Sequence, residues 1–332
     1  MLEYKELKVS SAECFTGAYV EEKLPDEIDN NLFSNYYLAE KIQDHSEWDC
    51  DEEAKAVFDK IKQEVSNKNN LEKDQEKELQ KELIHPILNF LGHSFSIEQP
   101  IPDDNGKTPD FAFFRSEDEK ESAKNNNEVY KKSKIIGDAK KWEVDLDKDK
   151  DGEPVFNNKN PSFQVYYYLN KTEADWGLLT NGRKWRLFYK EENQLDVFFE
   201  IDLAKMWMGE YQEKFKYFYL FFRKESFYSR SGDPFLEEVY KGSKDYSEKL
   251  EDDLEEKIYD ALEVAARGFF QSNDLDKTEQ HKDLVHRSSL ILLYRFLFVL
   301  NAESRGLLPV EDVTYKEAVG FNGFKEKLRE DP

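Results

Sequence analysis

Three residues at the ends of two predicted strands could together perform metal-assisted chemistry. Asp110 follows Pro109 at the start of one apolar segment, while Asp138 and Lys140 end the next. Because side chains two residues apart on a strand share a face, Asp138 and Lys140 should lie side by side. Carboxylates can hold a hard cation such as Mg²⁺, and a nearby lysine can orient a water molecule or offset developing negative charge. Such a set suits phosphodiester hydrolysis, in which the cation neutralises the phosphate and activates water.

The setting of these residues matters more than the tripeptide 138–140. Asp-x-Lys is common in a chain with 36% charged residues, and by itself it favours a surface ion pair over a functional site. Here, however, the apolar and small residues Ile135, Ile136 and Gly137 precede it, and a Pro-Asp pair opens the strand before. A carboxylate and an ammonium at the end of an otherwise apolar strand favour a functional site.

Helices and strands that could position this set follow from the apolar spacing. A helix is predicted over 74–91, with a kink or a junction between two shorter helices at Pro86 and an end at Gly92. Strands are predicted over 95–97, 109–114, 134–140, 176–180, 184–189 and 197–201, with a hairpin turn at Asn181-Gly182. Further helices are predicted over 32–42, 52–65, 163–169, 210–224, 246–270 and 283–304, and polar loops over 116–128 and 145–160. The aromatic residues between 215 and 222 are too dense for one face, so that helix should pack on several sides.

This order predicts an α/β fold with a mixed central sheet, flanking helices and a C-terminal helical region. We divide the chain into an acidic, partly helical N-terminal extension (1–70), an α/β domain (71–205) and a helical connector (206–332). The 39% of hydrophobic residues suffices for a core. The sequence shows neither an apolar run long enough for a bilayer nor a secretory signal, and Cys14 and Cys50 provide no disulfide framework. The protein is therefore predicted to be soluble and cytoplasmic, without a membrane partner.

The net charge of −23 counts mildly against a general nucleic-acid binder, because phosphate affinity favours basic surfaces. A local basic channel would be enough for a DNA-acting domain. Basic residues beside the predicted strands could contact a DNA backbone, although a solvated charged edge is an equally good interpretation. The candidates for DNA binding are Lys141, Arg183, Lys184 and Arg186.

Several blocks, in order, resemble the N-terminal nuclease region of type IIG restriction–modification enzymes and related type I restriction subunits. The resemblance covers about residues 75–310 and implies the PD-(D/E)xK restriction-endonuclease-like core. The blocks are the helix Glu82–Gly92, Pro109-Asp110-Phe111-Ala112, Gly137-Asp138-Ala139-Lys140-Lys141-Trp142, Asn160-Pro161-Ser162-Phe163-Gln164 through Tyr168, Trp176–Leu187, and a linker-like stretch from Leu290 to Pro309.

The resemblance implies roles for individual residues. Asp110 and Asp138 would ligate Mg²⁺, for which Mn²⁺ can substitute, with the Ala139 carbonyl as a further ligand. Lys140 would serve the attacking water, and Gln164 matches a glutamine that these nucleases place near the site. A glutamate on the first helix often completes the metal shell. We choose Glu76, with Glu78 and Glu82 left open.

The implied activity is that of a Mg²⁺-dependent, type II site-specific deoxyribonuclease in host defence, which cuts double-stranded DNA and leaves 5′-phosphate ends. The chain lacks a glycine-rich cofactor loop. The resemblance therefore implies a methyltransferase domain using S-adenosylmethionine after Pro332 in a longer protein, and a target-recognition domain elsewhere in that protein.

Two other functions stay open from sequence alone. The chain could be a catalytically inactive nuclease-fold module that docks a partner or senses DNA, or an enzyme acting on RNA or modified DNA. We reject a calcium loop starting at Asp147, because the position that needs a bidentate glutamate is Asn158. We assign no functional role to the five histidines, which are scattered along the sequence.

Overall fold

A computed structural model of the chain describes residues 24–68, 75–102, 108–147, 160–192, 194, 196–229, 232–304, 307–310, 312–318 and 320–321. The chain divides into two compact units, residues 1–247 and residues 248–332. Most of the predicted loop over 145–160 lies outside the described residues. The predicted boundaries at residues 70 and 205 stay predictions.

The first unit is built on a seven-stranded mixed sheet with flanking helices. Its order is β1-β7-β6-β5-β4-β3-β2, and the β4–β5 pair alone is parallel among these seven strands. The strands are β1 (Ile28–Asn30), β2 (Ser94–Ile97), β3 (Phe111–Phe114), β4 (Ile135–Ala139), β5 (Trp176–Thr180), β6 (Lys184–Tyr189) and β7 (Phe199–Asp202). The α-helices up to residue 222 are α1 (Asp51–Ser66), α2 (Glu76–Leu79), α3 (His85–Phe90), α4 (Glu117–Asn125), α5 (Val129–Lys132), α6 (Pro161–Lys171), α7 (Leu203–Trp207) and α8 (Phe215–Phe222).

The two faces of the sheet pack against different helices. One face meets α1, α3, α7 and α8 in a large apolar cluster that contains Trp185 and Leu187. The other face meets α4, α5 and α6 in a smaller cluster that contains Ile136 and Leu179. Since β-strand side chains alternate, neighbouring residues of β4 and β6 point into opposite clusters. We call the side that packs on α6 the α6 face.

Helix α8 is nearly surrounded, as its aromatic density predicts. Seven of its eight residues are buried, and Tyr219 is half-buried. The ring of Phe218 lies 5.6 Å from Trp185 of β6, and the ring of Phe215 lies 5.2 Å from Phe58 of α1. Helix α1 thereby joins the core of the first unit together with the strands.

The first predicted helix is broken at Pro86, as expected. Between α2 and α3 the residues Gln80–Ile84 form a π-helical turn, which ends just before His85 and Pro86. Proline has no N–H to donate within a helix and its ring crowds the carbonyl four residues earlier, so the local widening has a steric cause. Gly92 follows α3 with φ +80°, the left-handed conformation that ends the helix.

Four elements were not predicted from the sequence, namely α4, α5, α7 and β1. The segment predicted as a polar loop over 116–128 contains α4, which Ser116 caps by accepting a hydrogen bond from Glu119 N. The strand β1 was not predicted. It pairs with β7 through Ile28–Ile201, a contact between residues far apart in the chain.

The second unit is helical. Helix α9 (Phe235–Ser272) runs into it, and α10 (Glu279–Ser304) and α11 (Val313–Ala318) follow. Within this unit, the buried Glu303 accepts hydrogen bonds from the hydroxyl of Tyr315 and from the backbone N–H of Phe321. The predicted helices 246–270 and 283–304 are confirmed, although both begin earlier than predicted. Among the described residues, no helix combines the length and the apolarity needed to cross a bilayer.

Candidate functional site

Strand register places the two aspartates beside each other. Strand β3 pairs antiparallel with β4, with Phe111 opposite Gly137. Asp110, the residue before β3, therefore stands opposite Asp138, near the end of β4. Opposed residues of an antiparallel pair lie on the same side of the sheet, so both carboxyl groups are on the α6 face. The predicted convergence of these residues is present.

A backbone hydrogen bond fixes the Asp110 carboxyl group. Its Oδ2 accepts a 2.7 Å hydrogen bond from the N–H of Ala139, the residue between Asp138 and Lys140. On the other side of β4, the N–H of Lys140 donates a 2.8 Å hydrogen bond to the carbonyl of Thr180. The end of β4 is thus held from both neighbouring strands.

Asp138 and Lys140 form an enclosed ion pair. Lys140 Nζ contacts Asp138 Oδ2, and the two side chains are 16% and 4% exposed. Among the described residues, no partner completes a well-aligned hydrogen bond to that enclosed oxygen. A buried carboxylate is costly unless a cation compensates it, and here the Lys140 ammonium supplies that charge.

The electrostatics of the three groups reflect burial and mutual proximity. Burial, and then the charge of Asp138, raise the pKa of Asp110 to about 7. Burial also raises the pKa of Asp138, against the opposing effect of Lys140. For Lys140, burial alone would lower the pKa, but the negative charges of Asp138 and Asp110 outweigh it and the pKa is raised. The Lys140 side chain is therefore a positively charged ammonium at neutral pH.

Of the three candidate glutamates on the first helix, Glu76 contributes negative charge at the site. Its charge contributes to raising the pKa of both Asp110 and Lys140. Glu82 instead pairs with Lys68 at 3.3 Å, and Glu78 is exposed. The role of Glu76 as a metal ligand stays a prediction.

Two residues near the site were missed by sequence reasoning. Lys77 is 79% exposed and forms a 2.8 Å ion pair with Glu98, and the charge of Asp110 also raises its pKa after the contribution of Glu98. Glu98 has φ 48°, uncommon for this residue type, and its N–H donates to the carbonyl of Asp110. Strained backbone often occurs at functional sites. The adjacency of Lys77 to Glu76 was the one signal available in the sequence.

Gln164 lies on α6, which packs on the same face as Asp138. The residue is partly buried, and Val165 beside it belongs to the cluster beneath α6. Pro161 occupies the first turn of α6, and Asn160 caps the helix by accepting from the N–H of Phe163. The helix is thereby fixed over the strands that carry the carboxylates.

Three of the four predicted DNA-binding residues have accessible ammonium or guanidinium groups. Lys141 is exposed and donates to Gln75 Oε1 at 2.9 Å. Arg183 is 45% exposed and paired with Asp202, and Lys184 is 37% exposed and paired with Glu200. These pairs lower the free positive charge that each residue offers.

Arg186 is placed differently. Its side chain is 1% exposed and lies between Glu200 and Asp147, with its guanidinium carbon 3.7 Å from the centre of the Phe198 ring. It also donates a 2.9 Å hydrogen bond to Ser162. Its position gives no support to the predicted contact with a DNA backbone, because all its bonding groups face the interior.

The donor set suits a hard cation held by few protein ligands. The oxygens of Asp110 and Asp138 converge, and their mutual repulsion would be relieved by a divalent cation. Among the described residues, no cluster of three or more His, Cys, Asp or Glu side chains is close enough to hold a metal by itself. Mg²⁺ characteristically takes one or two protein carboxylates and keeps several water molecules. The two aspartates therefore fit Mg²⁺ better than a fully protein-ligated ion.

Comparison with known proteins adds no further guide. No family model, no curated protein and no solved structure matches the chain.

Proposed function

We propose that this protein is a Mg²⁺-dependent DNA endonuclease with a PD-(D/E)xK core, the N-terminal part of a type IIG-like restriction–modification enzyme. The observation that carries the proposal is the convergence of Asp110, Asp138 and Lys140 at one point of the sheet, with the Ala139 N–H bonded to Asp110. An ordinary surface ion pair would not need a second buried carboxyl group opposite the first.

Asp110 and Asp138 would hold the cation, with the Ala139 carbonyl and Glu76 as further candidates. When bound, Mg²⁺ supplies Lewis-acid activation of water and neutralisation of the phosphate; Mn²⁺ would substitute for it. The chain's own contribution is to keep two carboxyl groups together against their repulsion. The hydrogen bond from Ala139 and the positive charge of Lys140 do this before any ligand arrives.

Lys140 would act as a fixed positive charge. Because its pKa is raised by the neighbouring carboxylates, it is an ammonium at neutral pH in the metal-free protein. In that form it donates hydrogen bonds, and can orient the attacking water or stabilise negative charge on the phosphate. It is not a free base in this state. Gln164, carried by α6, is the remaining proposed participant.

DNA would approach the carboxylates past exposed basic residues. Lys141, Arg183 and Lys184 are the proposed backbone contacts, and Lys77 is added to them because it is exposed beside Asp110 and Glu76. Such contacts supply affinity without sequence information. The net charge of −23 predicts weak, strongly salt-dependent binding by this chain. Sequence choice and methylation would reside in target-recognition and methyltransferase domains of the same full-length protein.

Cleavage of supercoiled plasmid tests the proposal. We expect nicking with Mg²⁺ or Mn²⁺, none with EDTA, and 5′-phosphates at the new ends. Lys140→Ala should lower the rate about 100-fold, the usual effect of removing a charge-stabilising donor.

The matched control is Lys134→Ala. Lys134 precedes the same strand at its other end, where it pairs with Asp175 on the surface. This variant should cut like the parent protein. Equal cleavage by the parent and Lys140→Ala would refute the role of Lys140. Absence of cleavage by the parent at high concentration would favour the inactive docking or DNA-sensing module, and cleavage confined to RNA would favour the other alternative.

A further inference from the structure

The residues that follow Lys140 cross the end of the sheet, with Trp142 packed on the α7 side and Leu146 on the α6 face. We call residues 141–147 the covering segment. It begins with a turn, in which the N–H of Val144 donates to the carbonyl of Lys141 at 3.0 Å. Leu146 is 2% exposed and joins the apolar cluster of Ile136 and Leu179, the neighbours of Asp138 on that face. The segment therefore lies over the strands that carry Asp138 and Lys140.

Polar side chains from three elements tie the covering segment down. Asn181 Nδ2 donates to the carbonyl of Val144 at 3.0 Å, and Ser162 Oγ donates to the carbonyl of Leu146 at 2.8 Å. At the far end, Asn160 Nδ2 donates to the carbonyl of Asp147 at 2.8 Å, and Arg186 Nη2 donates to its carboxylate at 3.0 Å.

Arg186 is the centre of this arrangement. It links the carboxylate of Asp147 to that of Glu200, which Lys184 also contacts at 2.6 Å. The guanidinium is planar and presents several donors in fixed directions, so it can serve two carboxylates and Ser162 at once. Its own strand, β6, adjoins β5, and β5 adjoins β4. A rigid sheet thus connects Arg186 with the end of β4.

We propose that Arg186 is a positioning residue, which holds Asp147 and thereby keeps the covering segment in place, so that Lys140 stays enclosed against Asp138. Its activity readout rests on the proposed nuclease function. The residue that the sequence assigns to DNA contact instead orders the residues beside the catalytic lysine. A misplacement of a reacting group by about 1 Å can cost up to 100-fold in rate, so a loosened segment should lower turnover.

The test uses Asp147→Ala, because removing buried Arg186 would leave Glu200 without its main partner and could unfold the protein. Asp147 is 54% exposed, and its loss keeps the Arg186–Glu200 pair. We expect kcat for plasmid nicking to fall about tenfold with KM for DNA unchanged. Glu143→Ala, the same charge change at an exposed position in the same segment, should match the parent. Asp147→Asn keeps an acceptor for Arg186 and should recover most of the rate.

Amide hydrogen exchange provides a readout that does not depend on cleavage. Within the covering segment, the N–H of Val144 donates to the carbonyl of Lys141 at 3.0 Å. This N–H should exchange faster in Asp147→Ala than in the parent, and at the parent's rate in Glu143→Ala.

Unchanged exchange of the Val144 N–H in Asp147→Ala, or faster exchange with unchanged kcat, would overturn the positioning role. A raised KM with unchanged kcat would also overturn it, because the segment would then contact DNA directly. If the parent does not cleave DNA, the proposed nuclease function fails, and the exchange comparison alone supports or overturns the hold of Arg186 on the segment.

Discussion

Asp110 Oδ2 accepts a 2.7 Å hydrogen bond from the backbone N–H of Ala139, the residue between Asp138 and Lys140. The bond crosses from the start of β3 to the end of β4. It ties the carboxyl group of one strand to the backbone that carries the other two functional groups. The geometry of the site therefore depends on strand register, and a slip by one residue would separate all three groups.

Asp110→Asn should stabilise the metal-free protein and abolish its response to Mg²⁺. The pKa of Asp110 is raised to about 7, so the folded state favours the neutral form and ionisation at higher pH destabilises the fold. Asparagine retains an acceptor for the Ala139 N–H and removes the repulsion with Asp138. At pH 8 in EDTA we expect a gain of roughly 1–3 kcal/mol in the free energy of unfolding.

Thermal unfolding with and without Mg²⁺ checks this prediction. The parent should gain stability with Mg²⁺ as a ligand-binding folded state does, while Asp110→Asn should not. A variant that is less stable than the parent in EDTA, or equally stabilised by Mg²⁺, would contradict it.

His93 should make the protein acid-sensitive. Burial lowers the pKa of His93 from 6.5 to about 4, while its Nε2 is hydrogen-bonded to the carbonyl of Phe222 at 2.7 Å. Below pH 6.5, His93 binds a proton in the unfolded chain but stays neutral in the folded protein. The free energy of unfolding therefore falls as the pH falls from 6.5 to 4. The shift corresponds to about 3 kcal/mol.

Urea unfolding of the parent and of His93→Leu across this pH range isolates the contribution. The difference in unfolding free energy between the two proteins should shift in favour of the leucine variant as the pH falls. A difference that is constant with pH would show that His93 does not titrate as its burial indicates.

Gly177→Ala should loosen α6 from the sheet. A Cβ at this position would lie 2.5 Å from Val165 Cγ1 and 3.1 Å from Leu169 Cδ1, both on α6. Overpacking of this kind costs about 1–3 kcal/mol. Thermal unfolding monitored in the first unit should show the loss. Gly268→Ala, where nothing lies within 4 Å in helix α9, should cause no such loss. Equal stability of Gly177→Ala and the parent would contradict this prediction, because α6 would then shift to accommodate the added methyl group without loss of stability.

The order of most elements could be predicted because the local signals agree with the fold. The strands that begin at Ile135 and Trp176 are mostly apolar, and Asn181-Gly182 marks the hairpin. Helix α4 was missed because only Ala123 is buried on it, which leaves no apolar stripe. Its true signal was the cap, Ser116 followed three residues later by Glu119. The short strand β1 has no such signal, since its partner lies in a distant part of the chain.

The site was predictable in its central residues and not in its surroundings. Asp138 and Lys140 are neighbours within one strand, so their shared face follows from local geometry. The location of Arg186 depends on what covers the α6 face. The alternation of strand side chains places Trp185 on one face of the sheet and Arg186 on the other, and it suggests that the arginine faces solvent. Helix α6 and the covering segment bury that face instead, and tertiary packing of this kind has no local pattern.

The nicking rate of Asp138→Asn on supercoiled plasmid in Mg²⁺ tests the central claim most directly. The substitution preserves shape and removes the charge that would hold the cation. The matched control is Asp175→Asn, the same substitution at a surface aspartate that pairs with Lys134. Circular dichroism should verify that both variants fold. We predict that Asp138→Asn loses at least about 100-fold in rate, the loss of several kcal/mol of metal-derived stabilisation, and that Asp175→Asn cuts like the parent. Parent-like nicking by Asp138→Asn would contradict the assignment of this carboxylate as a metal ligand.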